Sequence, residues 1–457
     1  ALTVPSGGTG VNTQQAYGVL VGGTTATGAM QSITPGTSTK VLTSAGTGAL
    51  PTWSQPSNLT QSFRSLTLQT SPDANLAAAN VFLNHADEIV MQDGVSVSDW
   101  NDLTANIAVS GAGGLDTGSE GASRWYSINA IRKSSDGTKN LLLHRAKNYA
   151  VDSSNTTDSG SIGLLTSAAR TRLAQTFTQV ATGVVPFVDL YHFKTLSAVG
   201  YLYVDLYATS GGLPTGAALA TARVLDESLI STSSQWVRWV FDSPITLTAS
   251  SVYALVLRSS AGVDATNYIN WRHSTTSAYA GGQSCQYDGA TWTAIAAGYD
   301  FEFKVYVTQN DTALTMPSGY DQYALVGWVY NGSGSDFVPF FAIDRKVDWR
   351  PTAASATIFS STATVMTLLS LETFMPPIPA QVFIAGAISV GGETVNLNSL
   401  QSGPKQPTYQ GSPGQWVNGP GAGYMFTFSP FGTDYQAIYA SSSAGATGSA
   451  YFLGYQW

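Results

Sequence analysis

Charge is what this sequence has least of. Asp, Glu, Lys and Arg make up 11% of its 457 residues, against roughly 25% in ordinary soluble chains. Its surface must therefore be hydrated by hydroxyls and amides. Twenty basic residues against 28 acidic ones leave a net charge of −8. No Lys/Arg run is dense enough to neutralise a line of phosphates, so no nucleic-acid partner is expected. Cysteine is nearly absent. Cys285 is the single one, which excludes an intrachain disulfide framework and suits assembly in a reducing compartment. A small buried side chain is expected there rather than a nucleophile. The longest apolar stretch, MPPIPAQVFIAGAISV from Met375, holds three prolines and is too short to cross a bilayer, so no membrane insertion is expected. The first thirty residues carry neither a basic start nor an apolar core segment, and no secretory signal is expected.

The motifs of common catalytic machinery are missing as well: no nucleophile elbow, HExxH, P-loop or His/Cys cluster is present. The four histidines, His85, His144, His192 and His273, are scattered, as expected of surface or satisfied core positions. Glycan cleavage needs two carboxylates facing each other across a cleft. Asp93 with Asp99, or Asp300 with Glu302, would supply the residue type. In DFEFKVYV, however, the period of two puts Asp300, Glu302 and Lys304 on a solvated face and Phe301, Phe303 and Val305 in the core. The stretch DSSNTTDSG has oxygen ligands without the spacing of a calcium loop and is expected to be a polar linker. No enzyme, cofactor or metal site is expected.

What is abundant is strand chemistry. YLYVDLYA from Tyr201, QWVRWVF from Gln235, VYALVLRS from Val252 and YALVGWVY from Tyr323 are β-branched and aromatic, with turn residues between them. Two short segments read as helix, DANLAAANVFL near Asp73 and GLLTSAARTRLAQ near Gly163. The expected class is all-β. Composition divides the chain into a glycine-rich connector at 1–55, a first β region at 56–148, a linker at 149–169, a strand-rich unit at 170–308 and a last β region at 309–457.

The connector has no charged residue in its first 32 positions and repeats a phrase, VLVGGTTATGAMQS from Val19 and VLTSAGTGALPTW from Val41. One copy has too few apolar groups to offset the ordering of its backbone. Either the segment is a flexible linker, or it is a ribbon that folds by pairing with other copies; the Val-Leu pairs kept in step favour the ribbon.

LTVPSGGTGVNTQQAYGVLVGGTTATGAMQSI, with KVLTSAGTGALPTW after it, resembles the glycine-rich segment of bacteriophage tail fibre and related virion appendage proteins. That resemblance implies a homotrimeric stalk in a virion tail, contacts with other tail or baseplate proteins, and assembly in the host cytoplasm. LDTGSE followed by WYSINAI resembles a phage tail module, in which a phrase like PSGYDQYALVGWVYN comes next. Here that phrase starts only at Pro317, which implies that the 170–308 unit is inserted into one β domain. The insert, from LYVDLYATSGGLPTG through WRHSTTSAYAGG to DFEFKVYV, is similar to jelly-roll modules of the carbohydrate-binding and surface-anchor type. That group has varied ligands.

Sugar recognition needs an aromatic face with planar polar groups beside it. Trp271, Arg272 and His273, then Tyr279 and Gln283 in a glycine-rich loop, supply those types, with Tyr287 and Trp292 as further aromatics. The competing reading makes Trp271 a core or strand-end aromatic, as expected for Trp236 and Trp239. The aromatic tail ending in YFLGYQW is expected either to meet another subunit or to fill its own sandwich. Together these features lead to the expectation of a tail appendage subunit that attaches to host-surface glycan. A purely architectural tail or capsid protein and a glycan-depolymerising tailspike are the alternatives.

Overall fold

The computed structural model describes residues 63–70, 79–276, 279–309, 312–332 and 336–349, together with short segments between 19 and 54 and between 357 and 456. Nearly every described element is a strand, so the chain is all-β. The helical elements among the described residues are two three-residue 3-10 turns, Ala168–Arg170 and Glu227–Leu229. Neither helix expectation survives where it can be seen. The described part of the Asp73 segment enters the strand Asn80–Val90, and the segment from Gly163 breaks into one 3-10 turn and the strand Arg172–Thr178. In the second case the apolar residues Leu173 and Phe177 lie on one face of a strand and enter the sandwich core.

The strand Arg124–Arg132 pairs antiparallel with Lys139–Arg145 on one side and with Gln322–Asn331 on the other. Chain from before and after the 170–308 unit therefore lies side by side in one sheet. Its residues 125–131 are all buried, which is why RWYSINAIR reads as a continuous run rather than an alternation. The hairpin that follows turns at Asp136 and Gly137: Asp136 Oδ1 accepts from the Thr138 amide at 2.8 Å, and Gly137 takes φ +78°, open to glycine at little cost. A second sheet joins Ser96–Asn106, Asn80–Val90, Thr67–Thr70 and Phe340–Ile343. One hydrophobic core unites these elements, with Trp100, Tyr126 and Leu143 from the earlier chain and Val326, Phe340 and Tyr455 from the later chain. Tyr455, in the aromatic tail, is fully buried there.

Between these halves stands a β-sandwich of two seven-stranded sheets. The first has the order Asn148–Asn155, Phe303–Gln309, Gly183–Thr195, Tyr268–Ser274, Gly160–Gly163, with Gln235–Leu247 pairing Gly183–Thr195 and Asp300–Phe301 pairing Tyr268–Ser274. The second has the order Leu213–Thr221, Tyr201–Ser210, Val252–Ser259, Arg172–Thr178, Ser284–Tyr287, Trp292–Ala294, with Leu225–Asp226 alongside. Between them Leu173, Phe177, Leu190, Val204, Trp239 and Leu257 form a shared core. The linker expectation for 149–169 is corrected here. Asn148–Asn155 and Gly160–Gly163 are strands of the first sheet: Ser153 and Asn155 are buried opposite the core residues Val305 and Phe303, and on the other side of a bulge after Val151, Tyr149 packs on Phe187 and Tyr306.

In the glycine-rich connector, Val19–Val21 pairs with Gln31–Ile33, and Val41–Thr43 with Thr52–Ser54. Each copy of the repeated phrase closes an antiparallel pair of its own. The rest of that segment, on which the ribbon expectation rests, lies outside the described residues.

Candidate functional site

The seven residues selected from the sequence do not form one site. Trp271 is fully buried, stacks on Phe301 with ring centroids 4.4 Å apart at 15°, and donates from Nε1 to the Glu302 carbonyl at 2.9 Å. Its expected role as a sugar platform is corrected to a core role. In Tyr268–Ser274 the alternation sends Ile269, Trp271 and His273 inward, and Arg272 out on the opposite side to an ion pair with Asp158. Tyr279 and Gln283 fasten a loop: the Tyr279 hydroxyl accepts from the Thr178 amide at 3.2 Å, and Gln283 Nε2 donates to the Gly212 carbonyl at 2.8 Å. Tyr287 and Trp292 stand apart from all of these. Half-buried on the hairpin at the edge of the second sheet, their rings lie 5.0 Å apart.

That hairpin ends a row running straight across the outer face of the second sheet. Tyr203 is the register partner of Arg258, Arg258 of Arg172, Arg172 of Tyr287 and Tyr287 of Trp292. All five share a face, because their chain neighbours Leu173, Leu202, Val204 and Leu257 point into the core. The Arg258 guanidinium lies 4.0 Å from the Tyr203 ring centre and that of Arg172 5.1 Å from the Tyr287 ring centre. Arg258 is clamped by the buried Asp205 through Nε and Nη2 (2.5 and 3.3 Å), and Thr221 donates to the same carboxylate at 2.7 Å. Arg172 makes no ion pair among the described residues. Asp288, next to Tyr287, is held in its own turn by the amides of Ala290 and Thr291 at 2.8 and 2.7 Å.

One wall of this row is a hairpin folded over the sheet. Tyr201–Ser210 and Leu213–Thr221 join through Gly211 and Gly212 at φ +58° and +78°, the two-residue turn whose twist matches paired strands. Leu213 and Trp292 pack with Tyr207 on Ala174, Val256 and Cys285. The expectation for Cys285 holds: the thiol is buried, and burial pushes its pKa up to about 12. The result is a one-walled surface trough along the row, with two guanidinium groups at its centre, Tyr203 and Tyr287 next to them and Trp292 at its end.

The first sheet's outer face uses similar residues differently. Arg238 gives both fork nitrogens to Asp189 at 2.9 and 3.0 Å, over the rings of Phe187 and Tyr306. Trp236, expected in the core or at a strand end, is the second residue of Gln235–Leu247 and half-buried on this face, 5.0 Å from Tyr191 and under Lys304 Nζ at 4.3 Å. Trp239 is in the core as expected. The solvated-face reading of Asp300 and Glu302 is overturned, since they are 3% and 2% exposed. Asp300 accepts from Gln175 Nε2 at 3.2 Å. Glu302 sits where pairing switches from Tyr268–Ser274 to Gly183–Thr195, its amide donating to Arg272 and its carbonyl accepting from Tyr191. Burial pushes its carboxyl up to about 8; the neighbouring Asp158 adds to the shift and Arg272 opposes it. Phe301, Phe303 and Val305 are in the core as the alternation requires.

Elsewhere the choices are fewer. A depression of about 320 Å³ lies beside Val97, Asp99 and Arg132, but Lys139 in its lining already donates to the carbonyls of Ser98 and Asp99 at 2.7 and 3.0 Å. Asp93 accepts from Gln322 Nε2 at 2.7 Å and caps its own turn through the Val95 amide. His192 is not a satisfied core histidine: it is fully buried with neither ring nitrogen hydrogen-bonded. Among the described residues no group of three or more His, Cys, Asp or Glu is arranged to hold a metal, and no helix is long and apolar enough to cross a membrane.

No protein-family model matches the chain, and no curated protein matches it significantly. The five-residue row is the arrangement that sequence reading missed. Its signal lay in phase: Arg172 and Arg258 occupy the positions out of step with Leu173, Phe177, Leu255 and Leu257. Which strands lie side by side is what the phase does not contain.

Proposed function

We propose that this chain is a subunit of a bacteriophage tail fibre or related tail appendage, homotrimeric through its glycine-rich connector, and that the inserted β-sandwich attaches the particle to host-surface glycan without cleaving it. The carrying observation is the open row Tyr203, Arg258, Arg172, Tyr287 and Trp292 on the second sheet. Pyranose rings lay their apolar faces on aromatic rings and give their hydroxyls to planar donors, and both are present in one trough. The virion assignment rests on the tail-fibre wording of residues 2–53. A single shallow trough binds weakly. Three on one trimer raise the effective concentration of the second and third contacts and convert weak sites into firm attachment.

Light scattering on the full chain tests the assembly, with a mass near three times 47.9 kDa expected. A monomer would remove both the ribbon and the avidity arguments. A glycan array tests attachment, and antibody labelling of intact particles tests the tail position; an array with no bound saccharide would leave an architectural role in its place.

A further inference from the structure

We infer that the saccharide taken by the second sheet's trough is acidic, bearing a carboxylate or sulfate that Arg172 receives while the sugar ring lies against Tyr287 and Trp292. This rests on the glycan-attachment reading and specifies the ligand class of the same site. Two arginines occupy adjacent register positions at the centre of the row, in a chain whose net charge is −8. A neutral sugar needs no such concentration of cations. The two guanidinium groups are in different states. Arg258 has two nitrogens on Asp205, so its charge is balanced and one edge of its fork is occupied. Arg172 has an aromatic face beneath it and no carboxylate among the described residues. A guanidinium carries five N–H donors in a planar fork matched to two oxygens of a carboxylate or sulfate.

Charge around the trough supports this assignment. Asp205 is 1% exposed and turned to Arg258 and Thr221, so it does not repel an incoming anion at Arg172. Asp288 is occupied by its own turn. The Arg172 guanidinium lies 5.1 Å from the centre of the Tyr287 ring, and the half-buried Trp292 ring packs beside Tyr287 at 5.0 Å. A saccharide seated there meets one ring surface and one unpaired cation, the two features of an acidic pyranose.

The test applies the full-length protein to an array of uronate-, sialate- and sulfate-bearing oligosaccharides, each beside its carboxyl-reduced or desulfated counterpart, followed by calorimetry on the best pair. At least one acidic saccharide is expected to bind, and its neutral counterpart to bind about tenfold more weakly or worse. Arg172→Gln is expected to erase that difference by weakening the acidic saccharide to the level of its neutral counterpart, with the melting temperature unchanged, and Arg172→Lys to restore part of it. The uronate and sulfate arms decide which anion the fork receives. If neutral counterparts bind as tightly, or Arg172→Gln changes nothing, the acidic-sugar inference falls and glycan attachment stands. Poly-glutamate displacing the saccharide at equal charge would overturn the inference in favour of an acidic protein partner. Absence of binding to every saccharide would bring down the attachment reading together with the inference.

Discussion

The two outer faces of the inserted sandwich carry the same chemistry in opposite states. On the first sheet, Arg238 rests on Phe187 and Tyr306 and delivers its fork to Asp189, with side chains 4% and 2% exposed. On the second sheet, Arg172 rests on Tyr287 without a carboxylate partner among the described residues. Arg258, with Asp205, stands between these extremes. An arginine on an aromatic ring is therefore not a binding group by residue type. A buried carboxylate opposite it makes it part of the framework, and the absence of one leaves it open to a ligand. The comparison predicts that substitutions on the closed side act on stability and those on the open side on binding.

The largest effects belong to the closed side. Arg238→Ala leaves Asp189 buried without its countercharge, and a loss of about 3–5 kcal/mol is expected in denaturant unfolding of the sandwich. Trp271→Ala removes an indole stacked on Phe301 at the centre of the core and is expected to cost a similar amount, about 3–5 kcal/mol. A loss below about 1 kcal/mol for either would mean that the first sheet is not the rigid partner in this comparison.

Acid provides a subtler probe of the same side. Burial drives the His192 imidazole down to about 3 from its ordinary 6.5, so the unfolded chain takes up this proton first as pH falls. The stability contributed by neutral His192 is full above pH 6.5 and is lost progressively from there toward pH 3. Between pH 6.5 and 4 the loss is about 3 kcal/mol. His192→Phe is expected to flatten that slope in unfolding curves recorded across the interval. An unchanged slope would mean that His192 is hydrated in solution.

How much of this was readable beforehand depends on direction along the sheet. Along a strand, the period of two placed Phe301, Phe303 and Val305 correctly, because a chain needs only its own sequence to alternate. The same rule failed for Asp300 and Glu302, where the strand crosses from one partner to another and both sides close over it. Trp271 was singled out for its aromatic and polar neighbours in a row, while pairing on both sides makes Tyr268–Ser274 a strand that buries it. Across the strands nothing was readable. Arg172, Arg258, Tyr203, Tyr287 and Trp292 come from five strands, and only register makes them a row. Tyr287 and Trp292 alone were anticipated, since one short hairpin holds both.

The smallest change in stability is expected from the residue that most sharpens the comparison. Trp292 is half-buried on an edge strand, touching Tyr287 and the small apolar group around Ala174 and Cys285. Trp292→Ala removes a peripheral contact, and no polar group is left stranded; unfolding is expected to shift by no more than about 1 kcal/mol. The same substitution takes away one ring face of the trough, and saccharide affinity is expected to fall about three- to tenfold by calorimetry. Trp271→Ala should show the reverse proportion, a large loss of stability with no direct contact to a ligand. If Trp292→Ala instead unfolds the sandwich and spares binding, the second sheet's outer face is framework like the first, and the distinction between the two arginine environments carries no functional meaning.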